Sequence, residues 1–371
     1  MEQTMWNELR ALRQRLHGCA ERSGAEFETA RLVSSFLGTH TSLSVYDQGN
    51  WLYAVHDEPG APVIAFRADL DAVSDGAQGA AHRCGHDGHT AALCGLALLL
   101  EGKTVGKTVY LVFQPAEETG AGAKLCVPVL AGKGIAACFS SHNLPGFPLG
   151  QIVTRSDVFA CASRGLTISF TGTPAHAAYP EFGRNPAHAL GQMLCALGED
   201  TAPALYRGMV LCTVVGAQAG ERAFGVAASS ADLWLTIRAH YGNDLDALHA
   251  RLTARARALA EADGLEVAFS VCDDFAETAC APELVEAVCA ACAAAGLDVQ
   301  EAAEPFRWSE DFGQFAALAP IAFFGVGAGE NCPALHTAAY EYPDDLLKST
   351  AEAYFAIAQA VQIGDTDHET A

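Results

Sequence analysis

The chain has 371 residues, half of them hydrophobic, with 44 acidic against 22 basic side chains and a formal net charge of −22. That length exceeds one ordinary compact core and favours a large domain with a smaller companion. The acidity, with Lys and Arg thinly scattered, excludes a basic nucleic-acid-binding face, and no run approaches the roughly 20 apolar residues of a membrane span.

From the N-terminus, Trp6–Leu16 and Glu26–Leu37 have helical periodicity. Met1–Leu16 is amphipathic and charged, without the apolar region of a signal peptide. Short strands are expected at Ser44–Asp47, Trp51–His56 and Pro62–Arg67, a helix at His89–Leu100, a strand at Lys107–Gln114, a helix at Ala121–Leu130 and a strand at Ile135–Ser140. Strands alternating with helices predict an α/β fold with a mostly parallel sheet flanked by helices.

A second block begins near Ala162. Arg164–Phe170, Met209–Val215, Leu233–His240 and Leu265–Cys272 read as strands, with helices at Pro186–Leu197 and Leu245–Ala262. This is a βαββαβ unit, the ferredoxin-like or split-βαβ pattern. The first pattern then returns with a helix at Glu283–Ala295, a strand at Ile321–Gly325 and a closing helix at Asp344–Ile363. The last eight residues are polar and expected to fray. The expected domains are 1–161 with 275–371, and an inserted 162–274. Thirteen cysteines, odd in number and irregularly spaced, argue against a disulfide framework and for a reducing cytoplasm. Cys289 and Cys292 sit in an apolar helical run and read as small buried hydrophobes.

Chemistry-bearing residues collect after the strands of the large domain. Pro62–Arg67 runs into Asp69 and Asp71. His82, Cys84, His86, Asp87 and His89 come just before or within the next helix. Glu117-Glu118 follows Lys107–Gln114, His142 follows Ile135–Ser140, and His336 follows Ile321–Gly325 after a Gly-rich loop. Ligand crevices of open α/β sheets form at that edge. Thiolate, imidazole and carboxylate together suit Zn, Mn, Co or Ni better than Ca or Mg. Two adjacent carboxylates suggest divided labour, one ligating a metal and the other taking a proton from water whose pKa the metal lowers from about 15.7 to about 7. Taken singly, the plainer readings are a turn for Cys-Gly-His, a solvated helix start for Glu-Glu, and hydrogen-bonded loop histidines for His142 and His336. Their joint placement favours a metal site.

Seven segments, in order, resemble the M20 metallopeptidase and amidohydrolase family, in particular its aminoacylase, hippurate-hydrolase and auxin-conjugate-hydrolase branch. They are Arg67-Ala68-Asp69-Leu70-Asp71-Ala72-Val73; His82-Arg83-Cys84-Gly85-His86-Asp87-Gly88-His89-Thr90-Ala91; Phe113-Gln114-Pro115-Ala116-Glu117-Glu118; Ser141-His142-Asn143-Leu144-Pro145; Pro174-Ala175-His176-Ala177-Ala178-Tyr179-Pro180-Glu181; Ser309-Glu310-Asp311-Phe312; and Leu335-His336. The resemblance implies that Cys84, His86, Glu118, His142 and His336 hold two divalent metals (Mn or Zn before Co or Ni), with Cys84 bridging. It implies Glu117 as general base and proton shuttle, and Asp71, with Asp69 as a second candidate, as an orienting carboxylate. His176 of the small domain becomes the oxyanion donor; its plain reading is a turn histidine. Arg238 is a candidate grip for a substrate carboxylate, or equally a strand-edge arginine in a surface ion pair. His89 reads as a buried structural histidine, and His188, His240 and His249 receive no role. The small domain doubles as lid and dimerisation domain, so a homodimer is implied.

Three departures stand out. Ser74 replaces the usual proline, Ser74–Ala81 is shorter than in relatives, and Asn185 replaces the usual Asp before Pro186. None touches the ligand set, so they bear on substrate rather than on activity. The implied substrate is a small N-acyl amino acid or similar amide conjugate. The competing readings are a dipeptidase of the same family, a cysteine hydrolase with Cys84 as nucleophile, and a non-catalytic small-molecule binder on this scaffold.

Overall fold

A computed structural model describes residues 2–76 and 79–362. The chain divides into two compact units, Met1–Phe159 with Thr278–Pro305 and Asp311–Ala371, and Ala160–Glu277 with Phe306–Glu310.

The first unit is built on an eight-stranded sheet. Its centre is four mutually parallel strands, in the spatial order Thr108–Gln114, Val63–Asp69, Ile135–Pro145, Ile321–Gly329. Val63–Asp69 is buried along nearly its whole length, as its apolar run requires of a strand covered on both faces. From it the chain passes through the helix His86–Leu100 to Thr108–Gln114 on one side. It then crosses by Gly122–Leu130 to Ile135–Pro145 on the other. Strand order therefore reverses around Val63–Asp69, and a crevice is expected beyond its carboxyl end. Helix His86–Leu100 is apolar and buried almost all round, as a core helix must be. Antiparallel Ser44–Asp47 and Leu52–His56 extend one edge, and the short Ile152–Thr154 and Val299–Glu301 the other.

The strand expected at Ile135–Ser140 continues to Pro145, so His142 lies within the strand rather than after it. It pairs opposite Gly325 of Ile321–Gly329. The polar pair Ser140-Ser141, where the expected strand ends, sits buried with its hydroxyls bonded, Ser140 to Arg67 O and Ser141 to the Tyr354 hydroxyl. Val73–Asp75 and Gly79–Ala81 pair antiparallel and take in the described part of the short Ser74–Ala81 segment; residues 77–78 lie outside the described residues. So do the last eight residues, expected to fray.

The second unit has a four-stranded antiparallel sheet in the order Val210–Ala219, Ser230–Ala239, Ala162–Thr171, Glu266–Phe275, with helices Ala187–Asp200 and Gly242–Asp263. Alternate residues Leu166, Ile168, Phe170 and Leu233, Leu235, Ile237 face Leu190, Met193, Leu245, Leu248 and Leu252 in one core. Full burial of each such side chain is worth about 1.5–3 kcal/mol. The second unit also takes Phe306–Glu310, beyond the 162–274 expected from sequence. The reason is local: Cys161 N donates to Phe306 O and Trp308 O at 3.1 and 3.0 Å. Asn185, the substituted position, accepts from Ala187 N at 3.0 Å and so serves the start of helix Ala187–Asp200. Among the described residues no helix is long and apolar enough to cross a membrane.

Candidate metal centre

The carboxyl ends of the parallel strands gather the sequence-predicted donors in the first unit. Gly85 sits between two of them with φ +97°, and a Cβ there would meet Asn143 Nδ2 at 2.6 Å and Tyr340 Oη at 2.8 Å. Only glycine makes this turn at so close an approach, and the turn presents Cys84 and His86 to the same space. Single ligand atoms of Cys84, His86 and His142 lie within 4.8 Å of one another, and so do those of Cys84, Glu118 and His336. The two triads share Cys84. His86, Glu117 and Glu118 form a further group that links them.

Hydrogen bonds to backbone groups decide which ring nitrogens carry protons. A carbonyl can only accept, so His86 Nδ1 donates to Asp71 O at 2.9 Å and His142 Nδ1 donates to Asn143 O at 2.8 Å. In the neutral form both rings present Nε2 as the basic nitrogen, the state a metal ligand needs. Burial works against a charged His86, but Asp69 beside it holds that imidazole well above its ordinary range, so a metal must displace a proton there too. Asp71 Oδ1 lies 3.3 Å from His86 Nδ1, while its Oδ2 accepts from Glu118 N at 3.0 Å. One buried carboxylate thus braces two of the candidate ligands.

His89 behaves differently, although Asp69, His86 and His89 also group together. Its Nε2 accepts from Asn143 N at 3.2 Å, so Nδ1 is the donor to Asp69 Oδ1 at 2.7 Å. Both nitrogens are engaged and the ring is a structural strut.

Two atoms at the centre are stranded. His86 Nε2 and Glu118 Oε1, 3.7 Å apart, are buried with no hydrogen-bond partner among the described residues. Glu118 Oε1 also lies 3.5 Å from His336 Nε2, and Glu117 Oε2 lies 3.9 Å from His86 Nε2. Stranding a buried polar atom costs about 1–3 kcal/mol, which a cation between these atoms would remove. Electrostatics point the same way. Burial drives the Cys84 thiol well above its ordinary range and pushes the Glu118 carboxyl up to about 7, against the opposing charge of His86. Burial likewise works against the charged form of Asp69, but His86, His89 and Arg67 hold that carboxyl well below its usual range. Burial lowers His142 strongly; His336 is lowered by burial and by the charge of His86.

Beneath the cluster lies a buried network centred on Arg67, a residue whose motif gives no hint of this role. Arg67 donates to Asp69 at 2.9 Å, to Gln114 at 2.9 Å and to Asp311 at 2.7 Å. Asp311 also accepts from Gln114 Nε2 and from Ala123 N. Arg67→Ala should cost about 3–5 kcal/mol, since it leaves two buried carboxylates without their shared cation; urea unfolding measures it.

His176 and Arg238 belong to the second unit. His176 is exposed, and its Nδ1 accepts the Ala178 N–H at 3.0 Å. The proton must then sit on Nε2, which leaves an outward donor. Arg238 is partly buried, and its Nη1 donates to Ser309 Oγ at 2.8 Å and Arg307 O at 3.2 Å. Neither partner is anionic, so the surface ion pair considered for it is not what these contacts form.

Known proteins resemble this chain at two levels. It is 33% identical over 210 residues to an N-acetyl-L-cysteine deacetylase of Bacillus subtilis, covering 52% of this chain and 50% of that one. It is 35% identical over 203 residues to an IAA-amino acid hydrolase of Arabidopsis thaliana, covering 50% and 46%. The chain thus spans about half the length of these curated relatives. A solved Bacillus subtilis structure, described as a dinuclear metal-binding peptidase of the M20 family, superposes with TM-score 0.81 at 24% identity over 96% of this chain and 98% of that one, a likeness of fold. The pattern of Peptidase family M20/M25/M40 matches residues 65–360, most of the sequence and every segment of the cluster just described, and the chain belongs to that family.

Proposed function

We propose that this chain is a metal-dependent amidohydrolase that cleaves the amide bond of an N-acyl amino acid or a similar small conjugate. The observation that carries the reading is the pair of stranded atoms, His86 Nε2 and Glu118 Oε1, inside two donor triads that share Cys84. Cys84, His86, Glu118, His142 and His336 would hold two divalent ions, of which Mn or Zn suits this mixed donor set, with Co or Ni next. Such ions supply Lewis-acid chemistry, activating a water and polarising the amide carbonyl.

The protein's own groups do the rest. Glu117 takes a proton from the attacking water and returns it to the amide nitrogen as the C–N bond breaks. His176 offers its Nε2–H to the oxygen of the tetrahedral intermediate. Arg238 pairs with the substrate carboxylate, and Asp71 orients His86 and the Glu118 backbone. The names of the two relatives support an amide between an acyl group and an amino acid as substrate. A dipeptidase would use the same set, so substrate assays separate the two. The remainder of the proposal is an inserted lid domain at about 162–274 that makes a homodimer, in the cytoplasm, where the free thiols of this chain would stay reduced.

Metal titration tests the site itself. Two equivalents of zinc should bind and raise the unfolding temperature. At a hundredfold excess of free ion over Kd the gain is about 2.7 kcal/mol per site, reversed by chelator. The pH dependence has a definite sign. Burial holds the Cys84 thiol and the Glu118 carboxyl protonated at higher pH than usual, the latter to about 7. Metal must displace those protons. Affinity should therefore be weaker at about pH 6 than at about pH 8, with proton release on loading measurable by calorimetry in buffers of different ionisation enthalpy. Affinity independent of pH would contradict the assigned ligands.

A further inference from the structure

The tripeptide Ala116-Glu117-Glu118 carries both central carboxylates, and its backbone is unusual. Ala116 adopts φ +51°, the left-handed region that a residue with a Cβ enters only when its surroundings hold it there. Its carbonyl accepts from Ala121 N at 3.2 Å and Gly122 N at 3.1 Å. Its N–H points the other way and donates to Glu26 Oε1 at 2.8 Å.

Glu26 lies in the loop between the first two helices, Glu2–His17 and Phe27–His40, remote in sequence from every metal motif. It is fully buried. Its carboxylate accepts from three N–H groups: Gly24 N at 2.7 Å and Ala116 N on Oε1, and Asn50 Nδ2 at 2.8 Å on Oε2. The same loop reaches the other end of the tripeptide through Ser23. Its hydroxyl donates at 2.6 Å to Asp71 Oδ2, the atom that also accepts Glu118 N. Glu21 O accepts from Ala72 N at 2.8 Å and ties the loop to the segment after Val63–Asp69. Both ends of the turn are thus pinned from one loop that supplies none of the proposed ligands.

We propose that Glu26 is a positioning residue: by holding Ala116 in its left-handed turn, it sets where the Glu117 and Glu118 carboxylates stand. The inference rests on the two-metal reading of the site. Partners bonded directly to a ligand typically govern metal affinity or activity by about 10–100-fold; Glu26 acts through the backbone two residues before Glu118, so the lower end of that range is expected.

The test compares full-length wild type, Glu26→Gln and Asn50→Ala, each loaded with zinc. Glu26→Gln turns one accepting oxygen into a donor among donors. Zinc affinity, read by competition with a chromogenic chelator, should weaken about tenfold, and kcat should fall by a similar factor with KM little changed. Asn50→Ala removes only the Oε2 contact and leaves Ala116 held. It should lower the unfolding temperature but leave zinc affinity and kcat at wild-type values. Ala116→Gly added to Glu26→Gln should recover part of the affinity, because glycine takes positive φ without help. Glu26→Asp, one methylene shorter, serves the same comparison if Glu26→Gln does not fold. Unchanged zinc affinity in a folded Glu26 variant, or equal losses in Asn50→Ala, overturns the positioning role alone. A wild-type chain that takes up no zinc overturns the two-metal reading and this role with it.

Discussion

Glu117→Gln is expected to lower kcat about 10²–10⁴-fold while bound metal stays at the wild-type level. The substitution keeps the shape of the side chain and removes its ability to accept a proton. Distances alone do not assign the roles, since Glu117 and Glu118 stand 3.9 and 3.7 Å from the same His86 nitrogen. Grouping separates them. Glu118 joins a triad with Cys84 and His336, as well as the group with His86, and its Oε1 is the stranded atom. Glu117 joins the group with His86 and a second one with Glu310 and Asp311, and among the described residues it groups with neither Cys84 nor His336. Glu118→Gln should therefore show the opposite signature, losing metal first and activity as a consequence. Metal analysis beside steady-state kinetics on both variants checks the division. Metal loss in Glu117→Gln with retention in Glu118→Gln would exchange the two roles.

His176→Ala is expected to cost about 10²–10³ in kcat, with metal content unchanged and unfolding temperature nearly so. The basis is the tautomer. The Ala178 N–H occupies Nδ1, so the exposed Nε2 carries the proton and can donate to a developing oxyanion without first losing or gaining charge. The side chain is exposed and packs little, which is why stability should hardly change. His176→Asn, which keeps a donor, should retain more activity than His176→Ala. Equal activity of wild type and His176→Ala would leave the residue as the turn histidine of its plainer reading.

Much of the fold and the candidate site is legible in the sequence because parallel strands read as bounded apolar runs whose carboxyl ends share one edge of the sheet. Val63–Asp69, Thr108–Gln114 and Ile321–Gly329 begin within one residue of where the pattern places them, and the donors at their carboxyl ends converge. The polar pair Ser140-Ser141 makes the pattern stop short of His142. Those hydroxyls are satisfied by Arg67 O and Tyr354, partners distant in sequence, so the strand continues. Ile152–Thr154 and Val299–Glu301 are three-residue strands whose pairing partners are far along the chain, and no local pattern marks them. The segment Phe306–Glu310 returns to the second unit for the same kind of reason, a bond from Cys161 N. Ser23 and Glu26 stay hidden because each acts on the cluster through one hydrogen bond from a loop with no motif of its own. The proton positions on His86, His142 and His176 depend on backbone partners that only the folded chain supplies.

The central claim is tested most directly by hydrolysis of a panel of N-acetyl and N-benzoyl amino acids and dipeptides, using metal-stripped protein and the same protein resupplied with Mn, Zn, Co or Ni. The account predicts that turnover of an N-acyl amino acid disappears on stripping and returns only with metal. Turnover that survives complete metal removal would contradict it and make Cys84 a candidate nucleophile.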